Sequence, residues 1–278
     1  MLRQRVMTAL VLVAGFLGTL LLAPFPVQAI IFAAVASAGV WEWSNLVVIR
    51  SPLARSAFAS LVPVTCAFLW IKLDLAGNGH VVFGQPLLAG SAFLWSAVLV
   101  GLKYYPGGGW LWGQPWIRGL MGWLMLSATW FAVVFCLRFD YGPTVLFFMI
   151  LTIATADIGA YFVGRRFGQH ALAQAISPGK TWEGFWGGLI CVVLLTALVW
   201  ANLPISYMHL NLGSLLVLGL ATAGASVVGD LTLSLLKRQV GLKDSGSLLP
   251  GHGGLLDRLD SICGAAPIFA LGLLLVGY

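Results

Sequence analysis

The sequence predicts an all-α protein that lives in a membrane: a single polytopic bundle of about nine transmembrane helices with its N-terminus in the cytoplasm. Three observations predict it. Hydrophobic residues fill 60% of the 278 positions and charged residues only 9%, with a mean hydropathy of +0.96, far outside the range of soluble domains. Apolar stretches long enough to cross a hydrocarbon core of about 30 Å recur along the whole chain. Lys and Arg gather at alternate span ends, as the positive-inside rule requires of cytoplasmic loops.

The expected spans are 6–24, 27–47, 56–73, 86–103, 119–137, 143–164, 185–203, 212–236 and 262–277. The first follows Arg3 and Arg5 and precedes Val27-Gln28-Ala29, which imitates a secretory signal with a small-residue cleavage site. Its apolar run from Thr8 to Ala23 is long, so it is read as a retained span. Near the inner end of the second, Glu42 lies between Trp41 and Trp43 and reads as a snorkelling interfacial acid. Short or Gly/Pro/Trp-rich loops join the next three, and Trp110, Trp112, Trp116 and Trp123 read as an interfacial aromatic belt. With the N-terminus inside, the inner face receives Arg3, Arg5, Arg50, Arg55, Lys103, Arg118, Arg165, Arg166, Lys180, Lys237, Arg238, Lys243 and Arg258. Only Lys72 and Arg138 fall outside.

No polar linker, repeat or low-complexity tract interrupts the spans, so residues 1–278 form one membrane domain. Its halves differ. Residues 1–142 carry sparse charge at span ends, whereas six of the nine acids lie from Asp157 onward, which marks 143–278 as the catalytic half. Cys66, Cys136, Cys191 and Cys263 stand singly in apolar spans and read as buried free thiols. His80, His170, His209 and His252 have no ligand spacing, and neither a nucleophile elbow nor an HExxH pattern occurs, so covalent catalysis and zinc hydrolysis are unsupported.

Three polar groups of residues carry the chemistry. Asp230 lies inside a predicted span, where an unpaired ionisable group costs several kcal/mol. At 100° per residue Ser234 and Lys237 share its helical face. Asp257 and Asp260, three residues apart, offer hard oxygen donors suited to Mg²⁺, which keeps waters and substrate phosphates in its other positions. The His252-Gly253-Gly254 loop beside them lets backbone amides approach an anion. A second block runs from Asp157 through Arg165 and Arg166 into Ser177-Pro178-Gly179-Lys180-Thr181-Trp182-Glu183-Gly184. Its Gly-Lys-Thr is not a nucleotide P-loop, because Gln174 stands where the first glycine is needed and a membrane span precedes it. An ion-coupled transporter is the main competing class, but the polar residues collect at one membrane face rather than at the midplane of both halves.

From Ser234 to Asp260 the chain reads SLLKRQVGLKDSGSLLPGHGGLLDRLD, which resembles the signature of the phosphatidate cytidylyltransferases, the CDP-diacylglycerol synthases of bacterial type. Ser234, Lys237, Arg238, Lys243, Asp244, Gly246, Pro250, His252, Gly253, Gly254, Asp257, Arg258 and Asp260 all stand at that family's spacing. The block from Asp157 through SPGKTWEG, Leu2-Arg3-Gln4-Arg5 and Trp41-Glu42-Trp43 are similar too. Ile158 departs, standing where relatives carry a small hydroxyl residue.

The resemblance implies transfer of a cytidylyl group from CTP to phosphatidate at the cytoplasmic face of the bacterial inner membrane, with Mg²⁺ and K⁺ as cations. It also implies a homodimer among membrane lipids and no nucleic-acid partner. On this reading Asp230, Asp257 and Asp260 hold the metal, and these three with Lys237 and Arg258 carry catalysis. Ser234, Arg238, Lys243, Asp244, His252, Gly253, Gly254, Asp157, Arg165, Ser177, Lys180 and Thr181 bind the substrates. A CDP-alcohol phosphatidyltransferase is disfavoured, since its pairs of acids spaced four apart are not found.

Overall fold

The structure, a computed structural model, describes residues 2–77, 84–107, 112–203 and 211–276. Nine long helices follow one another among these residues: α1 (Leu2–Leu22), α2 (Phe25–Val47), α3 (Pro52–Lys72), α4 (Gln85–Lys103), α5 (Pro115–Leu137), α6 (Gly142–Phe167), α7 (Trp182–Ala201), α8 (Leu212–Gln239) and α9 (Leu256–Leu275). Eight are long and apolar enough to cross a membrane, while the apolar part of α1, Val6–Leu22, is shorter. Each expected span falls on one helix, and the chain is an integral membrane protein.

Local sequence sets where the helices begin. Proline occupies one of the first two positions of α2, α3, α4, α5 and α6, where its missing N–H has no helical partner to lose. Thr181 caps α7 by accepting from Gly184 N–H at 3.1 Å, and Asn211 caps α8 by accepting from Ser214 N–H at 2.7 Å. Gln28, buried at the start of α2, donates to the carbonyls of Thr19, Leu20 and Ala23, satisfying the end of α1 that a bilayer leaves dry.

Between helices the lipid supplies no hydrophobic drive, so close packing and polar links hold the bundle together. Central α5 is the most enclosed. Trp43 on α2 donates its indole N–H to the Arg118 carbonyl at 2.8 Å, and Trp130 returns the link to Ala29 at 2.9 Å. Trp123 donates to Thr65 of α3 at 2.9 Å, and Trp112 is buried with its ring against Gly101. Trp116, 68% exposed, alone among the described members matches the expected belt. The other two are packing residues, Trp123 bonded across to α3 and Trp112 seated against α4. Trp110, His80 and His209 lie outside the described residues. Cys66, Cys136 and Cys263 are buried free thiols, and Cys191 is half-buried.

One element was not expected. Between α6 and α7 the chain forms a short antiparallel hairpin, β1 (Ala171–Ala173) with β2 (Ser177–Thr181), where the sequence predicts an irregular loop.

Candidate active site at one end of the bundle

The end of α2, the hairpin, the end of α8 and the start of α9 meet at one end of the bundle. The segment between α8 and α9, residues 240–255, covers it. Asn45 donates to the Ser245 carbonyl at 2.7 Å and is itself held by Arg55 at 2.7 Å. Thr8 of α1 reaches the Pro250 carbonyl at 2.9 Å. At Gly253 the loop turns with φ +81°, next to the carboxylates of Asp257 and Asp244, a backbone conformation in which a side chain is strained.

Glu42 holds this loop from below. Only 2% exposed, it accepts from Leu256 N–H at 2.8 Å, Leu248 N–H at 3.2 Å and the Ser245 hydroxyl at 3.3 Å. A Cβ on Gly246 or Gly254 would strike its carboxylate. The snorkelling expected of Glu42 is therefore corrected. Its charge is turned inward because three donors of a distant loop replace water.

Asp257 is the second organising carboxylate. Its Oδ1 accepts from Lys237 Nζ at 2.8 Å, and its Oδ2 from the N–H groups of Ser245 at 3.0 Å and Gly254 at 3.1 Å. The pair is largely enclosed, with side chains 12% and 9% exposed. Lys237 thus turns to the next helix rather than back along its own to Asp230. Asp230 instead pairs with Lys180, brought from β2, and accepts from the Ser234 hydroxyl at 3.3 Å.

Asp230 also interacts electrostatically with Asp157 on α6 and Asp260 on α9. Glycine explains the approach of α8 to α9. A Cβ on Gly229 would collide with the Asp260 carbonyl and one on Gly264 with the Ala225 carbonyl, so backbones touch where Asp230 and Asp260 project. The α6–α7 crossing works alike: the Cβ of any residue replacing Gly188 would lie 2.6 Å from the Ala156 carbonyl oxygen.

Other expected residues frame this group. Glu183 accepts from the amides of Gln169 and His170 at 3.1 and 3.2 Å and pairs with His170 Nδ1 at 2.6 Å, tying the hairpin to α7. Arg238, Lys243, Asp244 and Arg258 are exposed around the same end, and Arg258 donates to the His252 carbonyl at 3.1 Å. The Nδ1 of His252 is buried without a partner among the described residues. Arg165 contacts the Tyr161 hydroxyl at 3.0 Å, and Ser177 opens β2 without joining the aspartates.

Hard oxygen donors, backbone amides and unspent cations at the mouth of a membrane bundle suit binding and transfer of phosphates. The Cytidylyltransferase family matches residues 3–276. A phosphatidate cytidylyltransferase of Pseudomonas aeruginosa is 38% identical over 279 residues, covering 100% of this chain and 99% of its own. That of Haemophilus influenzae is 37% identical over 97% and 98% of the two chains. A Bacillus subtilis enzyme of the same name is 45% identical over 130 residues, 46% of each. A match that runs through every helix described above, with the Ser234 to Asp260 loop inside it, means that the chain belongs to the cytidylyltransferase family and is a nucleotidyltransferase.

Proposed function

We propose that this enzyme transfers the cytidylyl group of CTP to phosphatidate, giving CDP-diacylglycerol and pyrophosphate. The observation that carries the reading is the junction of Lys180–Asp230 and Lys237–Asp257 beneath an amide-rich loop at the membrane surface. A lipid phosphate, whose second pKa lies near 6 like other phosphate monoesters, is already an anionic nucleophile. One of its oxygens attacks the α-phosphorus of CTP as the bond to the β-phosphate oxygen breaks, and pyrophosphate leaves with that electron pair. No strong base is needed. Catalysis reduces to alignment and charge neutralisation.

Lys237, Arg238, Lys243 and Arg258 neutralise the triphosphate and the departing pyrophosphate. Lys180, Arg165 and Asp157 border the lipid phosphate, and His252 with Gly253 and Gly254 shapes the loop over the nucleotide. Among the described residues no three His, Cys, Asp or Glu side chains already form a metal cage, yet Asp230 and Asp260 interact electrostatically, and a partly hydrated Mg²⁺ needs little more from protein than their hard oxygens. Those two aspartates would hold it, with Asp257 joining once Lys237 turns to a phosphate. Bound there, the cation supplies charge neutralisation for the transferred phosphoryl group; K⁺ fits the same oxygen chemistry. The positive-inside count supports a cytoplasmic position for this end, where CTP is, and with bacterial relatives argues for the inner membrane. The resemblance supports a homodimer.

The test uses purified protein in mixed micelles with α-labelled CTP. Phosphatidate-dependent release of pyrophosphate together with labelled CDP-diacylglycerol is expected. Cation flux through proteoliposomes without either product would replace this reading with a carrier.

A further inference from the structure

A lateral groove of about 390 Å³ opens beside the site, between α4, the hairpin, α7 and α8. Its walls are apolar, and it begins at Leu172, Trp182 and Leu231, next to the residues that bring Lys180 and Asp230 together. From there it follows α8 inward to Ala221. Ten residues at 1.5 Å each make about 15 Å, half of a hydrocarbon core of about 30 Å. The groove is therefore one leaflet deep. Leu99 and Trp182 on its rim are 52% and 46% exposed, so it communicates with the bilayer rather than with the protein interior.

Its head holds an unspent donor. Trp95 of α4 is 4% exposed, and its indole N–H is buried with no hydrogen-bond partner among the described residues. The same ring lines a small void together with Gly229 and Asp260, so it stands at the depth of the carboxylates. A buried N–H left unpaired is costly, and Trp95 lines the groove, so a ligand seated there can bring the missing acceptor.

We infer that this groove seats an acyl chain of the lipid substrate while Trp95 donates to an ester oxygen at the top of that chain. The inference rests on the proposed reaction, and it makes α4, outside the catalytic half, the element that positions the lipid. A glycerolipid supplies what the groove lacks: an acceptor joined to a hydrocarbon tail reaching the midplane. The larger cavity of about 750 Å³ among α3, α4 and α5 is lined by Gly90 and Ser127 and by none of these site residues, so it serves as the control.

Gly224 provides the probe, because it lines the groove and a Cβ added there meets nothing within 4 Å. Gly224→Leu should lower the ratio of kcat/KM for dihexadecanoyl over dioctanoyl phosphatidate at least tenfold, while Gly90→Leu leaves that ratio as in the wild type. Trp95→Phe, which keeps the ring and loses the N–H, should raise KM for phosphatidate about three- to tenfold and not that for CTP. Unchanged acyl profiles in Gly224→Leu, or equal effects of Trp95→Phe on both substrates, overturn the inference.

Photo-crosslinking with phosphatidate carrying a diazirine midway along one chain gives a readout independent of turnover. Labelling should fall on Leu99 and on segment 221–228, which belong to the groove and not to the α3–α5 cavity, and drop in Gly224→Leu. Labels confined to the α3–α5 cavity overturn the groove. A wild-type protein that makes no CDP-diacylglycerol sinks the proposed reaction instead, and the crosslinking map still decides the groove.

Discussion

Leu256, at the start of α9, donates its backbone N–H to Glu42 of α2 at 2.8 Å, a bond between residues 214 positions apart. With Leu248 and Ser245 it makes one buried carboxylate the anchor of the whole covering loop. Glu42→Gln replaces an acceptor with an amide that faces donors, at a cost of about 1–3 kcal/mol. We expect a lower thermal midpoint in detergent and at least a tenfold loss of kcat/KM. A variant as stable and active as the wild type would remove Glu42 from the framework of the site.

The Lys237–Asp257 pair separates structure from chemistry. Breaking a buried pair by removing one partner costs about 3–5 kcal/mol, whereas replacing both is often close to neutral. Asp257→Asn should abolish CTP-dependent transfer while membrane insertion persists. The double variant Lys237→Met/Asp257→Asn should regain thermal stability lost in either single variant without regaining activity. Recovery of turnover in the double variant would show the pair to be scaffolding only.

Close approach of α8 and α9 has its own test. Gly229→Ala drives a Cβ into the Asp260 carbonyl, so the helices part and Asp230 loses its register with Asp260. Activity should fall by a factor of ten or more, with a lower melting temperature. Gly18→Ala, where a Cβ meets nothing within 4 Å, should match the wild type in both assays. Equal behaviour of the two variants contradicts the role given to this crossing.

Sidedness follows from charge and is directly measurable. Leu248, 49% exposed on the covering loop, and Ala76, exposed at the opposite end, become single reporters in a cysteine-free background as Leu248→Cys and Ala76→Cys. In intact cells an impermeant maleimide should label Ala76→Cys alone, and in inverted vesicles Leu248→Cys alone. The opposite pattern would put the site outside.

Much of this architecture was legible in the residues, for physical reasons that differ from element to element. Spans are readable because a bilayer demands about twenty apolar residues in a row, and each expected span found its helix. Asp230, Asp257 and Asp260 stood out because charge in an apolar chain is conspicuous, and Ser234 because helical period puts it on the face of Asp230, where the two are in contact. Partners across helices were not legible. Lys180 and Lys237 were both visible as cations, but helical period only put Lys237 on the face of Asp230, and tertiary packing gave Lys180 to Asp230 and Lys237 to Asp257. Glu42 looked like an interfacial acid because its three donors lie more than two hundred positions away. The hairpin escaped because a three-residue and a five-residue strand around a turn leave no alternating pattern to read.

Thr8 bonds to Pro250 across 242 positions, and Glu42 to Leu256 across most of the same interval. A ribosome delivers the N-terminal helices first, so these groups enter the bilayer long before the loop they hold has been made. Until residues 245–256 have been made, Glu42 lacks all three of its donors, and Asp257 does not yet exist. A nascent chain that stops before Asp257 then lacks the Lys237–Asp257 pair, and the arrival of α9 acts as the completion signal for this site.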